Sequence, residues 1–104
     1  MSASVLTEEE VAAAIKRLDG WVISLSDEQL GLTKRFQFSG FNGAFGFISR
    51  VALAAERANH HPEWQNIYNQ VTIRWTTHAQ GGVTDLDIKL AQKCDRIARD
   101  SGQK

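Results

Sequence analysis

Glu56-Arg57-Ala58-Asn59-His60-His61-Pro62-Glu63-Trp64-Gln65-Asn66-Ile67-Tyr68-Asn69-Gln70-Val71-Thr72-Ile73-Arg74-Trp75-Thr76-Thr77-His78 is the stretch on which the rest of the chain turns. It opens on the end of an apolar helix. Pro62, the only proline, disfavours helical geometry at His61, so the His-His pair leaves the helix there. Asn66-Ile67-Tyr68 reads as a short strand and Asn69-Gln70 as a two-residue turn. Val71 to Thr77 is rich in β-branched residues and reads as a second strand, with Val71, Ile73 and Trp75 on one face. All three histidines of the protein fall inside this stretch, at element ends.

Upstream, the helix that feeds this stretch is predicted over Phe41 to Ala58, with Ser39-Gly40 as its start. Phe41, Phe45, Ile48, Ala52 and Ala55 form one apolar track. Ala44, Phe47, Val51, Ala54 and Ala58 form a second beside it. A helix that only covers a sheet needs one stripe, and this one has roughly twice a coiled-coil seam. The extra width predicts self-association, since closed homo-oligomers are the commonest use of such a face.

Further upstream, Trp21 to Leu25 and Leu30 to Phe38 read as strands around the polar turn Ser26-Asp27-Glu28-Gln29. Leu30, Leu32, Lys34, Phe36 and Phe38 share a face, which is the buried one. Thr7-Glu8-Glu9-Glu10 reads as a capping box for a first helix with Val11, Ala14, Ile15 and Leu18 on its apolar stripe. Asp19-Gly20 ends that helix. Downstream of His78, the loop Ala79-Gln80-Gly81-Gly82-Val83 leads to a last helix capped by Thr84, with Asp85 and Asp87 in its first turn. Leu86, Leu90, Lys93 and Ile97 form one row, widened by Ile88, Ala91 and Ala98. The tail from Asp100 to Lys104 is polar. The predicted fold is α+β: a four-stranded antiparallel sheet with three helices on one face, in the order α-β-β-α-β-β-α, as a single domain over residues 1–104.

Composition narrows the function. Twelve basic and twelve acidic residues balance, which argues against direct nucleic-acid binding or an anionic membrane surface as partner. The acidic start, from Met1 to Glu10, resembles neither a secretory signal nor a span. The single cysteine, Cys94, makes no internal disulfide, so a cytoplasmic setting is expected.

Three histidines can bind metal, assist a nucleophile, or move protons. No complete metal-ligand set can be named: adjacent histidines in an extended segment point apart, and no His-x-x-x-His occurs. Cys94 falls mid-helix, and no glycine-flanked serine elbow is present. Acid–base chemistry on a bound heterocycle remains, with Glu56 or Asp87 to orient an imidazole and Trp64 and Trp75 to wall a pocket. The residues alone leave that reading open beside three purely structural histidines.

The run Glu56-x-x-x-His60-His61-Pro62, with Tyr68, His78 and Asp87, resembles the signature of the pterin-4a-carbinolamine dehydratases. The likeness extends to Phe41-Asn42-x-Ala44-Phe45-Gly46-Phe47, Arg50-Val51-Ala52-Leu53, His61-Pro62-Glu63-Trp64-x-Asn66-x-Tyr68-Asn69 and Asp87-Ile88-x-Leu90-Ala91. It looks nearest to the branch that in animals doubles as the dimerization cofactor of hepatocyte nuclear factor, a homeodomain transcription factor. The animal members carry an acidic residue and a cysteine where this chain has Ala79-Gln80.

The resemblance implies dehydration of 4a-hydroxytetrahydrobiopterin to quinonoid dihydrobiopterin, recycling tetrahydrobiopterin, with no metal or other cofactor. It implies His60, His61 and His78 as catalytic residues, with His60 and His78 as the proton-transfer pair and His61 in binding. Asn59, Thr76, Thr77 and Ala79 would join the histidines in contacting the pterin, and Glu56, Pro62, Trp64 and Asp87 would support them. It further implies a homodimer or homotetramer through the central helix and sheet edge. A transcription-factor dimerisation domain is the alternative partner of that helix, which would add a nuclear location.

Overall fold

The computed structural model describes residues 4–104. Met1, Ser2 and Ala3 of the acidic start lie outside the described residues. The elements are α1 (Glu8–Ile15), β1 (Val22–Ser26), β2 (Gln29–Gln37), α2 (Phe41–Ala58), β3 (Glu63–Ile67), β4 (Gln70–Trp75), a short 3-10 turn (His78–Gln80) and α3 (Asp85–Asp100). The strands form one antiparallel sheet in the order β1-β2-β4-β3. The predicted α+β order and sheet are therefore present. Among the described residues, no helix is long and apolar enough to cross a membrane.

Local chemistry explains the element ends. The Glu10 amide donates to Thr7 Oγ1 at 3.1 Å, and the Thr7 amide donates to Glu10 Oε1 at 2.9 Å. This reciprocal cap satisfies two of the helix's free amides. Helix α1 stops at Ile15, one turn short of the predicted Leu18, yet Leu18 and Trp21 are still buried. Asp27 and Glu28 both adopt positive φ (51° and 64°), so the first hairpin closes on a two-residue turn matched to strand twist.

The second hairpin turns one residue earlier than predicted. Ile67 pairs with Gln70, so the turn residues are Tyr68 and Asn69, with Tyr68 at φ 51°. The reason is tertiary. Asn69 exchanges bonds with Phe38 at the end of β2: its Nδ2 donates to the Phe38 carbonyl at 2.9 Å, and its carbonyl accepts from the Phe38 amide at 2.9 Å. Strand β3 also begins at Glu63 rather than Asn66. It is an edge strand, largely exposed, so no burial alternation marked it in the sequence.

The core lies between the sheet and the helices. Leu32 and Phe36 of β2 and Val71, Ile73 and Trp75 of β4 face Val11 of α1, Phe47, Val51 and Ala55 of α2, and Leu90, Ala91 and Cys94 of α3. Lys34 shares this face: its Nζ reaches Asp95 at 2.9 Å and lies 4.9 Å from the Phe36 ring centre. Helix α2 buries Ala44, Phe47, Ile48, Val51 and Ala55, whereas Phe41, Phe45 and Leu53 are exposed. The wide apolar face is thus half used within the chain.

Candidate active site

The C-terminus of α2 aims the first histidine. Asn59 takes the left-handed conformation (φ 52°, ψ 43°), and the His60 amide donates back to the Ala55 carbonyl at 3.0 Å. The chain therefore leaves the helix at Asn59, before Pro62 acts. His60 then reaches the end of β4, where its ring stacks nearly parallel to Trp75, with centroids 5.8 Å apart and 13° between planes.

His60 Nε2 lies 2.6 Å from Asp87 Oδ1. Asp87 is fully buried, and its other oxygen is also occupied. Asp87 Oδ2 accepts from Thr77 Oγ1 at 2.7 Å and from the Thr84 amide at 2.9 Å. Every donor around this carboxylate is thus satisfied, as burial demands. An ionised carboxylate only accepts, so against it His60 Nε2 is the donor of this bond.

His78 opens the 3-10 turn. That turn is closed by Gly81 at φ 77° and by the Thr77 carbonyl, which accepts from the Gly81 and Gly82 amides at 2.9 and 3.3 Å. His78 Nε2 lies 3.3 Å from Glu63 Oε2. His61 Nε2 lies 2.9 Å from Glu56 Oε1, in an exposed pair. Each imidazole therefore meets its own carboxylate. Among the described residues, no group of three or more His, Cys, Asp or Glu side chains is placed to hold a metal ion.

An open cleft of about 260 Å³ is bordered by Asn59, His60, His61, Thr76, Thr77, His78 and Ala79. These seven residues are the ones for which the family resemblance implies catalysis and binding, and they border one cleft. Two of their side chains are committed elsewhere. Thr76 Oγ1 donates to the Leu30 carbonyl at 2.7 Å and accepts from Gln29 Nε2 at 2.8 Å. Thr77 Oγ1 serves Asp87. Of the supporting residues, Asp87 takes His60 and Glu56 takes His61. Pro62 is half-buried in the connection to β3.

Trp64 is placed differently from its expected supporting role. It sits on edge strand β3 opposite Ile73, half exposed, and borders a separate hollow with Thr33, Gln65, Thr72 and Arg74. The aromatic wall against His60 is Trp75, because β4 runs on past β3 toward the end of α2. Two site neighbours were not singled out from the sequence, Glu63 and Arg74. They face one another across the β3–β4 ladder, and only the observed hairpin register makes that pairing readable.

These features define a class: an α+β sheet protein whose histidine-lined cleft holds each ring against a carboxylate, a layout suited to proton transfer. Comparisons with known proteins carry this further. The family model described as pterin 4 alpha carbinolamine dehydratase matches residues 4–97. Relatives from Brucella ovis and Brucella canis, provisionally named pterin-4-alpha-carbinolamine dehydratases, are each 46% identical over 98 residues, covering 94% of this chain and 99% of theirs. A crystal structure of a Brucella melitensis protein, described as a transcriptional coactivator/pterin dehydratase, superposes with a TM-score of 0.83 at 46% identity, covering 91% of this chain and 99% of that one. A pterin dehydratase-like protein described as a RuBisCO assembly factor of the alpha-carboxysome shares the fold, with a TM-score of 0.64 at 21% identity, covering 76% of this chain and 89% of that one. The chain belongs to the pterin 4 alpha carbinolamine dehydratase family.

Proposed function

We propose that this protein dehydrates 4a-hydroxytetrahydrobiopterin to quinonoid dihydrobiopterin and water by histidine acid–base catalysis, and so recycles tetrahydrobiopterin. The observation that carries this reading is the single cleft bordered by His60, His61 and His78. The C4a hydroxyl is a poor leaving group. One imidazolium protonates it as the C4a–O bond breaks, and water departs. The N5 lone pair forms the new C4a=N5 bond, and a second imidazole takes the N5 proton. His60 and His78 are the pair that exchanges these protons, while His61 binds and orients. Atoms and charge balance without a redox group or metal.

The test follows the ultraviolet decay of the carbinolamine formed by a phenylalanine hydroxylase assay. Wild-type protein is expected to accelerate the decay. H60A/H78A is expected to lose that acceleration, a factor of about 10²–10⁴ for positioned proton transfer, while keeping its fold by circular dichroism. Near-wild-type turnover in the double variant would overturn the mechanism.

A second reading, a partner-binding role for α2, is favoured by the exposed Phe41 and Phe45, whose rings stack 5.6 Å apart. The Brucella melitensis relative described as a transcriptional coactivator supports it. The same face suits a homodimer or homotetramer, and a transcription-factor dimerisation segment would compete for it. A complex that forms equally well with H60A/H78A would support this reading; failure of any such segment to co-elute would count against it. The single buried thiol of Cys94 suits a cytoplasmic setting, with a nuclear one for the coactivator role.

A further inference from the structure

Beside the histidine cleft, on the open face of the sheet, lies a polar hollow of about 230 Å³ bordered by Ser26, Asp27, Gln29, Glu63, Arg74 and His78. His78 borders both. The guanidinium of Arg74 lies across β2 and is held at three points. Nε donates to Ser24 Oγ at 3.1 Å, Nη2 to the Gln29 carbonyl at 2.6 Å, and Nη1 to Glu63 Oε2 at 3.0 Å. Gly31 makes the crossing possible, because a Cβ there would sit 2.7 Å from Arg74 Cζ.

The Glu63 oxygen that binds Arg74 is also the one 3.3 Å from His78 Nε2. An ion pair between two free surface side chains contributes little, because both must be ordered to make it. Here one side is ordered already: Arg74 is mostly buried and pinned by the sheet. His78 is two-thirds exposed on a short turn, and this carboxylate is its single ionic partner among the described residues.

We infer that Glu63, anchored by Arg74 in the space left by Gly31, is a positioning residue that holds the His78 ring at the mouth of the cleft. This assignment rests on the dehydration reading. It makes the hollow a support for the site: a strand-borne Arg fixes a carboxylate, and the carboxylate fixes an imidazole carried by a loop. Orienting partners of this kind set both the ring angle and which nitrogen bears the hydrogen.

The test is a double-variant cycle in the carbinolamine decay assay, with kcat and KM resolved and thermal unfolding run alongside. E63A is expected to lower kcat about 10-fold or more, with KM within about 2-fold and the unfolding midpoint nearly unchanged. In an H78A background E63A should cost nothing further, since its effect runs through that ring. E63Q, which keeps an acceptor oxygen for both neighbours, should recover most of the rate. G31A, which displaces the guanidinium without touching the cleft, should lower kcat in the same direction. Wild-type kcat in E63A, or an undiminished E63A effect in the H78A background, would overturn the assignment while leaving the dehydratase intact. A wild-type protein that does not accelerate the decay would overturn the dehydration reading and this assignment together.

Discussion

Asp87 does two jobs with one side chain. It closes the N-terminal cap of α3 by accepting from the Thr84 amide, and it meets His60 through its other oxygen. Replacing it by alanine strands the buried Thr84 amide and removes the acceptor of Thr77 Oγ1 in the same step. D87A should therefore destabilise the protein by about 2–4 kcal/mol, combining a lost cap with unsatisfied buried donors. Urea unfolding would check this. In the proposed reaction D87A should also lower kcat by about 10²-fold, because His60 Nε2 loses its acceptor and the ring its orientation. A D87A protein with wild-type stability would mean that the network contributes little.

At the same scale, the sequence leaves open whether Glu56 or Asp87 orients an imidazole, and the structure gives each its own ring. Glu56 lies four residues before His60, the spacing at which helical side chains meet. Continuous helix would have paired them. The left-handed turn at Asn59 ends the helix first, so His60 swings to Asp87 and Glu56 is left to His61. Asn59 is a residue type that tolerates this conformation, but nothing in the local sequence says that it must adopt it.

Among the elements, α2 shows where physics read from sequence works best. Its boundaries, Phe41–Ala58, are the predicted ones, since a long apolar periodicity is hard to mistake. Its face divides into a buried half and an exposed half, Phe45 at 55% and Leu53 at 68%. If the exposed half joins copies of the chain, F45E should shift the protein to smaller species in sedimentation velocity. Its stability as a folded unit should change by about 1 kcal/mol or less, because the ring is not in the core. Unchanged assembly would remove α2 from the interface. Edge strands are less legible: β1 exposes Val22, Ile23 and Leu25 and β3 exposes Trp64 and Ile67. A strand with one neighbour has no inner face rule strong enough to fix its ends.

At the scale of the whole molecule, one buried group outside the cleft links stability to pH. Burial pushes the Cys94 thiol from 9.0 up to about 12, only partly offset by the bond from Trp75 Nε1 at 3.3 Å. Below pH 9 both folded and unfolded chains hold this proton, and the contribution is complete. Between pH 9 and about 12 the unfolded chain has released it and the folded chain has not, so stability falls as pH rises. The stability gap between wild type and C94A should narrow by roughly 1.4 kcal/mol between pH 8 and pH 10. Paired urea titrations at those two pH values would measure it, and a constant gap would refute the burial account.

Taken alone, the sequence determined the order of elements, the buried faces of β2 and β4, the bounds of α2, the capping box at Thr7 and, through the family resemblance, the seven residues that border the cleft. These follow from short-range periodicity, from capping chemistry and from the family signature carried by Glu56 to His78. Tertiary structure decided the pairing of His60 with Asp87, the one-residue shift of the second hairpin, the choice of Trp75 over Trp64 as the wall at the His60 ring, and the Arg74–Glu63–His78 contact. Each depends on groups distant in the chain meeting at a definite register, as Asn69 meets Phe38 and Glu63 meets Arg74. Spacing along a chain fixes which side chains share an element. Only packing between elements fixes which of them touch.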